Sequence, residues 1–169
     1  SFREFNTSAS LSLQEVSTIL YYSAGVQGEI GGLQSATTEE KNKSRRFYPS
    51  GGARYPLEVY LAIKRVSDVK PGVYHYNVPE HSLEQLLPEE YLGEFDETLG
   101  YEWAKDAAVV FVITAVWDRN FMKYGDFGYN IIFTEMGHMA QNLLLVSESL
   151  GMRHCPLAGF NNQKMNALL

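Results

Sequence analysis

Residues 122–130, MKYGDFGYN, set Lys123 beside Tyr124 and follow the pair with Gly125 and Gly128. A connector between an apolar stretch and a helix needs only the glycines. The two side chains able to exchange protons exceed what that junction requires. Two further turns offer complementary chemistry. In YPSGGARYP, residues 48–56, Pro49 and Pro56 enclose Ser50, Gly51, Gly52, Ala53 and Arg54 just before a strand. Glycines let backbone amides approach a ligand closely, and amides beside an arginine suit an anionic or carbonyl-rich planar group. An ordinary tight turn is the alternative. In CPLAGF, residues 155–160, Pro156, Leu157, Ala158 and Gly159 present a flat apolar surface with exposed amides. That suits one face and one edge of an aromatic ring system, a plain strand-to-helix turn being the alternative. At the start, SFREF places Arg3 between Phe2 and Phe5, two anchors around one charge.

Other patterns carry less. The glycines of GVQGEIGG have the wrong spacing for a dinucleotide fingerprint, and no strand is expected before them. No Walker loop, H-E-x-x-H or G-x-S-x-G occurs. His75, His81, His138 and His154 lack ligand spacing with cysteines or carboxylates, so no metal is expected. His138, mid-helix among Met and Ala, reads as a hydrogen-bonded interior histidine. Glu89 with Glu90, and Asp96 with Glu97, read as a solvated face. The basic run Lys41, Lys43, Arg45 and Arg46 reads as a solvated loop. Cys155 reads as a small buried hydrophobe, because His154 beside it on a strand would point to the opposite face.

Composition bounds the class. The chain has 169 residues, 45% hydrophobic and 20% charged, which suffices for one domain with a real core. A net charge of −6 argues against a nucleic-acid partner. A single cysteine allows no intrachain disulfide. No uninterrupted apolar run is long enough to span a membrane and no leader is recognised, so the cytoplasm is the expected compartment. The sequence starts at Ser1 and stops at Leu169 inside a helical pattern, so both ends are expected to be cut from a longer polypeptide.

The elements that must position these groups follow from periodicity. Ser12 and Glu15 form a capping box, with Leu11 and Val16 at the staple positions and Gly25 as a stop, predicting a helix between. Residues 26–48 read as a long loop. LEVYLAIKR reads as a strand with Leu57, Val59, Leu61 and Ile63 on one face, paired in a hairpin with KPGVYHYN, and SLEQLL adds a third strand. Residues 88–105 read as helical. AAVVFVITAVW reads as a central strand covered on both faces. From about Asn130 to Leu150 the pattern is helical and apolar almost all round, which suggests that a second subunit covers part of it. HCPLAGF reads as a short strand and turn, and NQKMNALL as a last helix. This order makes an α+β or mixed three-layer α/β domain.

Taken in order, these pieces resemble the FMN-dependent nitroreductase superfamily, and most closely its SagB-type, thiazole/oxazole oxidase-like dehydrogenase branch. Ser1, Arg3 and Phe5 match the end of an R-R-S-x-R-x-F signature. PSGGARYPLEVY, GVYHYNVPEHSLEQL, KYGDFGYN running into EMGHMAQNLLLVSESLG, and CPLAGF match the rest, over essentially the whole chain. The resemblance implies one nitroreductase-like domain over residues 1–169. It would be a three-layer α/β/α fold with a mostly antiparallel central sheet and a long buried helix at a homodimer interface. It implies FMN at that interface. Ser1 would meet the FMN phosphate, and Arg3 the phosphate side or the pyrimidine edge. Pro49 to Arg54 would line the ring from one subunit, and Pro156 to Gly159 from the other, with amides near N5 and O4. Lys123 and Tyr124 match the pair that azoline-oxidising members use as acid/base groups. In that chemistry a lysine of lowered pKa takes the proton while hydride leaves for N5, and both side chains reach one substrate only if the helix ends or bends there. The substrate would be a small molecule or a modified peptide, with a cyclodehydratase complex as a partner. Two departures stand out: the arginine pair before Ser1 and the C-terminal segment with the last phosphate-binding arginine are absent. An NAD(P)H-dependent nitroreductase is the alternative within the class, and a dimeric binding subunit that has lost its flavin is the alternative outside it.

Overall fold

The computed structural model describes residues 2–29 and 44–169. The strands are β1 (Leu11–Ser12), β2 (Val26–Glu29), β3 (Ser44–Arg46), β4 (Leu57–Ile63), β5 (Val66–Ser67), β6 (Gly72–Asn77), β7 (Ser82–Pro88) and β8 (Val109–Ala115). The α-helices are α1 (Leu13–Ala24), α2 (Leu92–Asp96), α3 (Asp118–Tyr124), α4 (Gly128–Ser149) and α5 (Asn162–Leu168). Four strands make the central sheet in the order β7-β6-β4-β8, every neighbour antiparallel. Two short pairs lie outside it, β1 with β5 and β2 with β3.

The strand pattern of β4 places the core. Leu57, Val59, Leu61 and Ile63 alternate onto one face and are buried there with Val16 and Leu20 of α1 and Ile132 and Met139 of α4. Ala62 points the other way, into a second cluster with Val73, Phe95 of α2 and Met165 of α5. Helices therefore cover both faces of the sheet, giving three layers, α/β/α. Leu61→Ala is expected to cost about 3 kcal/mol and lower Tm by roughly 6–12 °C, since a buried leucine leaves a cavity. A thermal melt checks this, and a shift of under about 2 °C would contradict it.

Helix α1 starts as its sequence specifies. The Ser12 hydroxyl accepts from the Glu15 N–H at 3.2 Å, and the Ser12 N–H donates to the Glu15 carboxylate at 2.7 Å. Helix α5 is capped by the Asn161 side chain, which accepts from the Lys164 N–H at 3.0 Å.

Five expectations need correction. Residues 26–48 are not one loop, because β2 and β3 pair at the two ends of that stretch. Residues 88–105 break into short helical turns, and Gly100 lies so close to the Gly159 carbonyl that an added Cβ would sit 2.6 Å from it. Strand β8 is covered on both faces, by Val59-side and Ala62-side neighbours, but it lies at the sheet edge, so all seven residues keep partial exposure. HCPLAGF forms no strand; among the described residues its sole ladder contact is a bridge between Phe160 and Leu99. Helix α4 is buried along one stripe, Gly128, Ile132, Glu135, Met139, Leu143 and Ser147, while Tyr129 and Phe133 stay about half exposed at 50% and 49%.

Candidate active site

Helix α3 ends at Tyr124, and the next residue, Gly125, takes φ +52°, a backbone conformation that favours glycine. That stop brings two adjacent side chains to one place. A Cβ added to Gly52 would lie 2.7 Å from the Tyr124 hydroxyl and 2.8 Å from Lys123 Nζ. Within a continuing helix the two would diverge by roughly 100°. Lys123 Nζ also lies 5.3 Å from the Tyr124 ring centroid. The lysine is exposed and the tyrosine half-buried, so this chain alone does not desolvate the pair.

The glycine turn is held from beneath. Gly52 has φ +63°, and Ala53 and Tyr55 also take positive φ, at 51° and 45°. Non-glycine residues reach such values at a cost of about 1–3 kcal/mol, so surrounding contacts must enforce them. The Tyr55 N–H donates to Ser50 Oγ at 2.9 Å, the Tyr55 hydroxyl accepts from the Arg46 N–H at 3.1 Å, and Arg119 donates to the Tyr55 carbonyl at 2.9 Å. The Gly51 N–H donates to Glu135 Oε1 at 2.8 Å, and the Ala53 N–H to the Ser50 carbonyl at 3.1 Å. Two amides expected to face a ligand are thus engaged within the protein. Pro49, Gly52 and Arg54 are exposed.

Glu135 is a buried acid under the glycine turn that pattern reading missed. It is 3% exposed on the buried stripe of α4, its Oε2 has no hydrogen-bond partner among the described residues, and the fully buried Asn120 amide beside it is also unpartnered. Burial pushes its carboxyl up, against the Gly51 N–H and the smaller pull of Ser50, Asn120 and His138. A raised carboxyl supports the fold fully below its ordinary 4.5, and that support is lost as pH rises through the raised value. Glu135→Gln keeps an acceptor for Gly51 and removes the charge. It is therefore expected to gain stability relative to the native chain as pH rises above 4.5, read as urea midpoints. A pH-independent difference would contradict this.

A second group of residues gathers around the last turn. The Phe2 N–H donates to the His154 carbonyl at 3.0 Å, Arg153 lies 5.3 Å from the Phe2 ring centroid, and Phe5 packs by Trp103 at 6.2 Å. Arg3 beside them is exposed and forms no ion pair among the described residues. Gly159 packs under the Tyr101 ring, and Pro156 and Ala158 are exposed while Leu157 is half-buried. Among the described residues no hydrogen bond joins this group to the glycine turn, so the two groups stand apart in the single chain. Ser1, Lys41 and Lys43 lie outside the described residues.

Three minor candidates also change. His138 is exposed, and the buried titratable group of α4 is Glu135. Asp96 is no solvated acid, since it binds the Lys64 ammonium at 2.5 Å. Cys155 is half-buried, and His154 bonds to Glu148 at 2.9 Å.

A family model described as the nitroreductase family matches residues 1–169. The chain belongs to the nitroreductase family. MJ1384 of Methanocaldococcus jannaschii, provisionally named a nitroreductase, is 34% identical over 170 residues, covering 100% of this chain and 79% of that protein. McbC, the microcin B17-processing protein of Escherichia coli, is 34% identical over 143 residues, covering 77% of this chain but only 50% of McbC. A crystal structure from Anabaena variabilis, also provisionally named a nitroreductase, superposes with a TM-score of 0.81 at 26% identity, covering 92% of this chain and 31% of that one. As a nitroreductase-family protein the chain is an oxidoreductase by lineage. Among the described residues no helix is long and apolar enough to cross a membrane.

Proposed function

We propose that this nitroreductase-family chain is an FMN-dependent oxidoreductase of the SagB type, which oxidises a thiazoline or oxazoline in a peptide to the aromatic azole. The observation that carries this reading is the convergence of Lys123 and Tyr124 on Gly52. The similarity to McbC, named for processing microcin B17, favours a peptide substrate.

The residues present suit the cofactor. Gly52 offers bare backbone beside the Lys–Tyr pair, and Pro156 and Ala158 offer an exposed, flat apolar turn. Arg3, exposed and unpaired among the described residues, would face the phosphate side or the pyrimidine edge, where a fixed cation favours the charge of the reduced ring. FMN supplies the hydride acceptor when bound. Aromatising the azoline removes a hydride from one carbon and a proton from its neighbour. Lys123 Nζ takes the proton, and the Tyr124 hydroxyl holds the substrate ring by a hydrogen bond. Proton capture needs the neutral amine, so a covering substrate or second subunit must exclude water there. The electrons leave to dioxygen or another acceptor.

The separation of the two groups, each read as a half-site, and the open apolar face of α4 favour a homodimer. Tyr129 stacks there on Trp117 at 5.2 Å between ring centroids, Phe133 lies tilted against Trp117 at 6.1 Å, and all three are exposed in the single chain. A second copy laid on that face would bury them. A cyclodehydratase that makes the azoline is the partner this reading implies. Arg3→Ala is expected to weaken flavin retention, by about 10-fold for one lost charge-assisted contact, measured by dialysis and absorbance. Unchanged retention would remove Arg3 from the site.

MJ1384 favours a second reading, reduction of nitroaromatics or quinones with NAD(P)H as reductant. Steady-state turnover separates the two. The azoline reading expects oxidation of azoline peptides without NADPH; rapid NADPH-dependent nitro reduction with inert azolines would overturn it.

A further inference from the structure

The basic pair Arg45–Arg46 remains outside the chemistry described above. A cleft of about 500 Å³ opens between β3 and the glycine turn, lined by Arg45, Arg46, Tyr48, Ser50, Ala53 and Tyr55. The Arg46 guanidinium lies 5.0 Å from the Tyr55 ring centroid, and its Nη1 is buried without a hydrogen-bond partner among the described residues. The Tyr48 hydroxyl, on a side chain 1% exposed, is likewise unpartnered. Burial pushes the Tyr48 phenol well up, against the pull of Arg46, so it stays protonated and can donate. Glu135, whose charge is felt at Tyr48, has Oε1 engaged by Gly51 and Oε2 outside hydrogen-bond reach of both donors. Two buried donors without an acceptor are costly to leave unmade. A guanidinium stacked on a ring presents its N–H edge as a planar fork, which matches a carboxylate.

We propose that this cleft receives a carboxylate carried by the substrate, with Arg46 and Tyr48 donating to it and Arg45 at its mouth. This rests on the reading that substrate reacts beside Gly52, because Ser50 and Ala53 form a wall shared by the cleft and the glycine turn. The carboxylate would anchor the substrate on one side of the turn while Lys123 and Tyr124 act on the other. The net charge of −6 gives no general attraction for anions, so the preference must come from these few donors.

Calorimetric titration of the purified full-length protein with para-nitrobenzoate and with neutral para-nitrobenzamide tests this, with flavin content read from absorbance in each sample. The acid is expected to bind about 10-fold or more tightly than the amide, as a charge-assisted fork allows. Arg46→Met is expected to abolish that preference, and the milder Tyr48→Phe, which removes only a hydroxyl, to reduce it about 3- to 10-fold. Equal binding of the two probes by the native protein would overturn the proposal. So would variants that weaken both probes equally, or variants that lose flavin while the preference persists, which would assign the donors to the cofactor instead. Binding needs no turnover: a protein that turns over neither azolines nor nitro compounds yet keeps the preference supports the cleft and contradicts the proposed function alone.

Discussion

Lys123→Ala is expected to lower azoline oxidation by about 10²- to 10⁴-fold, the usual loss when a general base is removed, while the bound flavin spectrum stays unchanged. The two halves of that result come from different features. Lys123 is exposed at the last turn of α3 and forms no ion pair among the described residues, so its loss should change stability by no more than about 0.5 kcal/mol. Its Nζ nevertheless sits beside Gly52 with the Tyr124 hydroxyl, where a proton must be taken if the ring turns aromatic. Rate and spectrum separate the roles: turnover within about twofold of native would reduce Lys123 to a surface residue, and loss of flavin would make it a binding residue instead.

Gly52→Ala is expected to damage activity nearly as much, without removing either acid/base group. The added methyl would meet the Tyr124 hydroxyl at 2.7 Å and Lys123 Nζ at 2.8 Å. Both are ends of flexible side chains, so they swing aside rather than unfold the turn. The φ of +63° at Gly52 adds left-handed strain of about 1–2 kcal/mol, or roughly 2–8 °C in Tm. A displacement of about 1 Å at a reacting group costs on the order of 10² in rate. If the methyl acts by moving Lys123, then adding it to the Lys123→Ala variant should cost little more. Additive losses in the double variant would place the effect elsewhere in the turn.

Much of the frame was legible because local rules and global packing agree. The Ser12–Glu15 box starts α1, and the alternation of Leu57, Val59, Leu61 and Ile63 fixes the buried face of β4. Where a residue's setting depends on topology, the sequence is silent. The apolar run of β8 looks the same whether the strand is central or at an edge, and only strand order decides that. The apolar surround of α4 cannot distinguish cover by the chain's own layers from cover by another molecule. The end of helix α3 explains the Lys123–Tyr124 geometry better than composition does, since it is the break at Gly125 that lets neighbours in sequence converge. Glu135 could have been found: with Gly128, Ile132 and Met139 it falls on one helical stripe, and an acid on a buried stripe signals a specific partner. That partner, the Gly51 amide 84 positions away, has no local signal.

The central claim is that these two half-sites form a flavin site, and the visible absorbance spectrum of the purified full-length protein tests it most directly. The account predicts a flavin band corresponding to about one FMN per chain, releasable by acid denaturation, with the stoichiometry of a 1:1 complex of ligand and subunit. A colourless protein that also fails to take up added FMN would contradict it and leave a dimeric binding subunit without flavin as the better description.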